Sequence, residues 1–238
     1  MGNEAKTDAR TAEKGVFITF EGGDGAGKST HMQFLVDQLA AQGFEVLKLR
    51  EPGGTAVGEQ LREIVLDPAN SEIADECELF VYEAARAQLV SQVIKPALSR
   101  GAVVVCDRFA DSTIAYQAFG RGLDRGSVEA ANKFACQGVH PQRTVFMTTG
   151  DAATGLARAK EDHAADRLEL AGIDFHERVA RGYAELAASD AERFRVVVTS
   201  EKRSDTARAV FRQVADLFPG IDLSLVPFEL LDEAEGER

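Results

Sequence analysis

Residues 16–30 read Val-Phe-Ile-Thr-Phe-Glu-Gly-Gly-Asp-Gly-Ala-Gly-Lys-Ser-Thr, and this stretch decides the fold. Val16–Phe20 is a short, apolar, β-rich run, the pattern of a strand. Gly22, Gly23, Gly25 and Gly27 follow within a few residues. Beyond Lys28, Met32, Leu35, Val36 and Leu39 recur at helical spacing, and Gly43 stops the pattern. The segment is therefore a strand, a glycine turn and a helix.

The turn matches GxxxxGK[ST] from Gly22 to Ser29. Glycines let successive backbone N–H groups close around phosphate oxygens, and the following helix adds its positive N-terminal end. Lys28 is placed to neutralise β- and γ-phosphates, and Ser29 to ligate Mg²⁺. Gly22, Gly23, Asp24, Gly25, Ala26, Gly27, Lys28, Ser29 and Thr30 are thus candidate nucleotide-binding residues. The competing reading is a glycine turn of structural use only. By itself the loop says no more than that a nucleoside triphosphate binds. A guanine-specific switch would need Asn-Lys-x-Asp, and the nearest stretch, Asn132-Lys133-Phe134-Ala135, lacks the Asp.

Working outward, Phe44–Leu49 reads as a second strand. Ile73, Cys77, Phe80, Ala84 and Ala87 share one face of a helix that runs to about Arg100, where Gly101 ends it. Ala102–Cys106 reads as a buried strand, and Thr144–Met147 and Arg195–Val198 as two more. Ser204 is the expected cap of a last helix that Pro219-Gly220 stops. Apolar strands alternating with helices predict an α/β fold with a parallel sheet covered on both faces.

The 238 residues fit this single domain over 15–218. Residues 1–14 and the last dozen or so are expected to be flexible; the stretch 219–238 reads as an acidic, solubilising C-terminal tail, with six acids against Arg238. A net charge of −12 argues against a nucleic-acid groove. Ala102–Cys106 is the longest purely apolar stretch, far short of a membrane span. The polar N-terminus does not read as a signal peptide, and Lys6 breaks the myristoylation pattern after Gly2. Cys77, Cys106 and Cys136 are odd in number and scattered, which predicts reduced thiols, a cytoplasmic location and no structural zinc.

Three further motifs carry chemistry. Arg50-Glu51-Pro52-Gly53-Gly54-Thr55 follows the second strand, at the strand ends where parallel sheets bind ligands. Arg50 there suits an anion, or is a solvated arginine in a turn. Asp107-Arg108 follows the buried third strand: the carboxylate suits the metal side of a phosphate site, and the arginine a bidentate phosphate contact. The plain alternative is a strand-end ion pair. Tyr82 and Arg86, four apart on a helix, could stack on and hydrogen-bond a nucleobase, or be a core tyrosine beside an exposed arginine.

Glu21–Thr30, Arg50–Thr55, Tyr82–Gln88, Asp107–Gln117 and Gly120-Arg121-Gly122 occur in this order, and together they resemble bacterial thymidylate kinases over roughly residues 15–218. The resemblance implies the P-loop NTPase fold, with a five-stranded parallel sheet, flanking helices and a helical lid at about 158–172. It implies ATP and Mg²⁺ as cofactors, dTMP as phosphate acceptor, and a homodimer. Ser29 and Asp107 would serve the metal. Asp24 would face the sugar 3′-OH and the acceptor phosphate. Tyr82 would stack on thymine, Arg86 and Thr113 would meet its polar edge, and Arg50 and Arg108 would hold the phosphate. Tyr116 would crowd a ribose 2′-OH, with Gln117 on the same wall. Lys28, Arg108 and the lid arginines Arg158 and Arg167 would stabilise the transferring phosphoryl group, with Asp24 beside them. The chain departs from the family after the fourth strand, where Thr149 and Ala152 replace an Asp and a Pro. The rivals are another P-loop nucleoside or nucleotide kinase and a non-catalytic nucleotide-binding protein.

Overall fold

The computed structural model describes residues 15–150 and 166–233. Expectations placed on residues 1–14, 151–165 and 234–238 lie outside the described residues; Arg158, Ala152 and most of the expected lid are among them.

Five strands, β1 (Val16–Glu21), β2 (Val46–Arg50), β3 (Val103–Asp107), β4 (Arg143–Thr148) and β5 (Phe194–Val198), form one sheet in the order β2-β3-β1-β4-β5. Every pairing is parallel. Phe20, Asp107 and Arg50 fall in one row across β1, β3 and β2, so the chemistry-bearing strand ends lie level. The chain turns to opposite sides of β1, which has β3 on one flank and β4 on the other. A ligand crevice belongs outside the strand ends at such a switch point.

The strands are apolar because both faces are covered. Ile18, Phe20, Val103 and Val105 pack under α1 (Lys28–Ala41) and a late helix, Arg203–Val214. Their neighbours Phe17, Val104 and Cys106 point the other way, onto Leu89, Val90, Ile94 and Phe109. α2 (Ala56–Leu66) follows β2. α3 (Asp75–Leu89) passes through a wide π-type turn, Val90–Ile94, into α4 (Lys95–Ser99), close to the length read from sequence. α5 (Ala110–Thr113), with a wide turn to Gly120, and α6 (Arg125–Cys136) lie between β3 and β4. α7 (Ile173–Ser189) precedes β5, α8 (Arg203–Val214) follows it, and α9 (Leu230–Glu233) comes last.

Four expectations are corrected. The second strand begins at Val46 rather than Phe44. On α3 the apolar stripe is turned out: Cys77, Phe80 and Ala84 are exposed, whereas Glu78, Glu83 and Arg86 are buried. Apolar periodicity misreads this helix because its inner face borders a polar cleft. Ser204 lies within α8, and no side chain of its own segment caps that helix; Asp232 Oδ1 accepts from Ser204 N at 3.0 Å instead. Finally, residues 219–233 are not a loose acidic tail. Val226 and Phe228 are buried, Phe228 packs on Phe34 and Phe211, and the Gln42 side-chain amide donates to Asp222 O and accepts from Asp222 N. The acids dominate the composition, but the apolar residues between them decide the packing.

Candidate active site

The loop between β1 and α1 is shaped by its glycines. Gly22 has φ +136°, and a Cβ there would sit 2.1 Å from Met147 O, so only glycine fits. Gly27 takes a left-handed conformation and opens α1. Lys28 Nζ donates to Gly22 O at 3.1 Å and Gly23 O at 2.9 Å, folding back along the loop. Burial, together with Arg108 nearby, lowers the Lys28 pKa.

A cleft of about 440 Å³ opens at the strand ends. The phosphate loop forms one side through Asp24, Gly25, Gly27, Lys28, Ser29 and Thr30, while Gly22, Gly23 and Ala26 do not line it. Arg50, Tyr82, Arg86, Asp107, Arg108, Thr113, Tyr116 and Gln117 line the rest, so the structure gathers every sequence-predicted acceptor residue into one cavity.

Arg108 is the centre of the arrangement. Its φ of 68° is a left-handed conformation that non-glycine residues seldom adopt, and such strain concentrates at functional sites. Arg108 Nη2 donates to Asp24 Oδ1 at 2.6 Å, and its guanidinium lies 5.0 Å from the centroid of the Tyr116 ring. Behind it, Glu21 is fully buried and accepts from Phe109 N at 2.8 Å, from Ser112 Oγ and from Tyr183 Oη. Burial, with Asp111 nearby, pushes Glu21 up to about 7.

Arg86 is no solvated arginine: it is 1% exposed. Nε and Nη2 reach Glu51 Oε2 at 2.8 and 2.7 Å. Nη1 donates to Glu83 Oε1, Thr113 Oγ1 and Asn132 Oδ1 at 2.7, 2.9 and 2.6 Å. This web fixes the plane of the guanidinium against the cleft. Asn132, part of the sequence's near-miss to a guanine-reading motif, sits in α6 and serves Arg86 and Ala110 O.

Arg50 is half exposed; it pairs with Glu59 at 2.7 Å and donates to Pro52 O at 2.9 Å. Arg62, which the sequence reading missed, donates to the same carbonyl at 3.0 Å and lines the cleft. Its signal was the helix start after the glycines: Thr55 Oγ1 accepts from Gly58 N at 2.9 Å and so caps α2. Asp166 and Glu169 also line the cleft, and each caps the other's backbone N–H at 3.1 and 2.9 Å.

Arg167 does not reach the cleft in this structure. Its guanidinium turns onto Glu78 and onto Val65 O, and it is excluded from the cavity lining. The carboxylate of Glu78 outcompetes solvent for it. Arg158, the other expected lid arginine, lies outside the described residues. Thr148 Oγ1, at the departure from the family pattern, accepts from Gly150 N at 3.0 Å.

Asp107 Oδ1 is buried with no partner among the described residues, and Ser29 stands exposed in the first turn of α1. A carboxylate oxygen and a hydroxyl are hard donors that fit Mg²⁺ when phosphate oxygens complete its shell.

The family model described as thymidylate kinase matches residues 20–210. The chain is 43% identical to the thymidylate kinase of Desulforudis audaxviator, over 87% of this chain and 98% of that protein. It is 39% identical to that of Bacillus pumilus, over 85% and 96%. The crystal structure of thymidylate kinase from Ehrlichia chaffeensis superposes with a TM-score of 0.68 at 29% identity, covering 84% of this chain and 98% of that one. The family match, these relatives and the phosphate loop place the chain in the thymidylate kinase family, with a P-loop NTPase fold.

Proposed function

We propose that the chain transfers the γ-phosphate of ATP to dTMP, giving dTDP and ADP. The observation that carries this is the Arg108–Asp24 bond, which joins an acceptor-side arginine to the donor phosphate loop in a single cleft. Tyr82, Arg86 and Thr113 supply a flat ring and polar groups for the base. Tyr116 closes the sugar side.

A phosphate monoester has a second pKa of about 6, so the acceptor is largely dianionic at neutral pH and needs no general base. The barrier is the approach of two polyanions and the charge on the transferring group. Lys28 and Arg108 meet that charge from the donor and acceptor sides. Ser29 and Asp107 would hold Mg²⁺, which screens the phosphates when bound. Asp24 keeps Arg108 oriented.

The exposed Phe80 of α3, with Phe134 on the adjacent α6, supports a homodimer formed through these helices. The thiols of Cys77, Cys106 and Cys136 are free, which suits the reducing cytoplasm. Among the described residues no helix is long and apolar enough to cross a membrane.

The test is ADP release with each nucleoside monophosphate in turn. Fastest turnover with dTMP supports the proposal. Faster turnover with dCMP or dGMP overturns the acceptor, and tight ATP binding without turnover on any acceptor overturns catalysis. Chelation of divalent cations should stop transfer, and Phe80→Glu should halve the mass seen by light scattering.

A further inference from the structure

Glu78 is a carboxylate with 0% exposure in the first turn of α3, and its position in sequence gives no reason for it to be buried. Its Oε1 accepts from Gln117 Nε2 at 2.7 Å and from Arg121 Nε at 3.2 Å. Its Oε2 accepts from Arg121 Nη2 at 2.9 Å and from Arg167 Nη2. Burial opposes its ionisation, but the bonds from Arg121, Gln117 and Arg167 hold its carboxyl below the usual range.

These partners lead to the two walls of the acceptor cleft. Gln117 lines one wall beside Tyr116. Arg121 lies 4.6 Å over the Phe175 ring, and Phe175 meets Tyr116 edge-on at 6.0 Å. On the other wall, Arg167 stands between Asp166 and Leu168, which both line the cleft. Its backbone N donates to Leu66 O at 3.1 Å and its Nε to Val65 O at 2.9 Å, so the segment leaving residue 166 is tied to the end of α2. Among the described residues, none of the bonds to Glu78 comes from the phosphate loop.

We infer that Glu78 is a positioning residue for the phosphate acceptor: by clasping Gln117 and Arg167 with one carboxylate it sets the spacing between the two walls that enclose that substrate. A carboxylate that merely held the core together would disturb donor and acceptor alike when removed. Among the described residues, Glu78 bonds Gln117 and Arg167 at the two walls and Arg121 behind them, and nothing of the phosphate loop, so its loss should act on one substrate. The inference rests on the proposed acceptor reading.

Calorimetric binding of dTMP to the unaltered chain tests that reading separately. The inference is then tested with Glu78→Gln, Glu78→Asp and Arg167→Met in the full chain, assayed well below each melting temperature. Glu78→Gln should raise the dTMP KM about tenfold or more, leave the ATP KM within about twofold, and change kcat little; Glu78→Asp should recover part of the loss. Arg167→Met keeps the carboxylate and carries the test if Glu78→Gln does not fold. It should raise the dTMP KM about fivefold while leaving the ATP KM within about twofold. Equal changes in both KM values, no change in either, or a fall in kcat at unchanged KM for Arg167→Met would overturn the inference. If the unaltered chain binds no dTMP, the acceptor reading and this inference fall together; if it binds and the variants show no split, only the inference does.

Discussion

Arg108 and Asp24 form an ion pair of 2.6 Å that spans the gap between the end of β3 and the phosphate loop. Burial works against the Asp24 charge, but Arg108 and Lys28 outweigh it and hold the carboxyl below its usual range. The other end of the guanidinium is only loosely engaged, with Nη1 at 3.3 Å from Tyr183 Oη and 3.4 Å from Ser112 Oγ. The arginine is therefore aimed by a short bond yet retains donors for a phosphate.

Replacing Arg108 with Met should lower kcat/KM for dTMP by about a hundredfold or more, equivalent to about 2.7 kcal/mol of transition-state stabilisation. Arg108→Lys should recover little, because an ammonium cannot reproduce the planar fork. Steady-state kinetics with dTMP varied at saturating ATP checks both; activity near that of the unaltered chain in Arg108→Lys would show that charge alone suffices.

Tyr116 is 5% exposed and its hydroxyl has no partner among the described residues. An unpaired buried hydroxyl costs about 1–3 kcal/mol, so Tyr116→Phe should leave the melting temperature unchanged or raise it. Tyr116→Ala opens the sugar side instead. It should reduce the preference for deoxyribose over ribose monophosphate about tenfold. The ratio of kcat/KM for dTMP and its ribose counterpart reads the effect directly, and an unchanged ratio would remove Tyr116 from sugar selection.

Glu21 ties stability to pH. Its pKa of about 7 when folded lies above the ordinary 4.5, so the folded chain binds more protons between those values. Stability from this group therefore falls as pH rises through that window and is flat above it. Relative to Glu21→Gln, the unaltered chain should lose on the order of 3 kcal/mol between pH 4.5 and pH 8. Urea unfolding of both proteins across this range isolates the contribution; a difference that is constant with pH would mean Glu21 stays charged throughout.

The C-terminal strap should be needed for stability. Phe228 is 4% exposed beneath Arg208, whose guanidinium lies 4.4 Å from its ring, and Arg208 also pairs with Glu229. Phe228→Ala should cost about 3–5 kcal/mol, and Asp232→Ala, which removes the cap on α8, should lower stability by less. Denaturant midpoints measure both losses. A chain ended after Phe218 that melted with the full-length protein would show the strap to be idle.

The sequence alone determined the phosphate loop, the parallel α/β architecture and the placing of Arg50 and Asp107-Arg108 at strand ends, because each rests on local information. Glycine spacing fixes the loop, apolar runs fix strands covered on both faces, and Arg50 and Asp107-Arg108 follow strand ends. Tertiary structure decided what no local pattern encodes. How an arginine is held depends on which distant carboxylate it meets: Glu51 fixes the plane of Arg86 beside the cleft, and Glu78 holds the Arg167 guanidinium outside it. The same holds for α3, whose polar face is buried because Glu51, Arg121 and Arg167 pair with it, helped by Thr113, Gln117 and Asn132, and for the acidic C-terminus, where Val226 and Phe228 find an apolar surface built by α1 and α8. Burial and charge pairing are properties of contacts far apart in the chain, and such contacts exist only once the sheet has assembled.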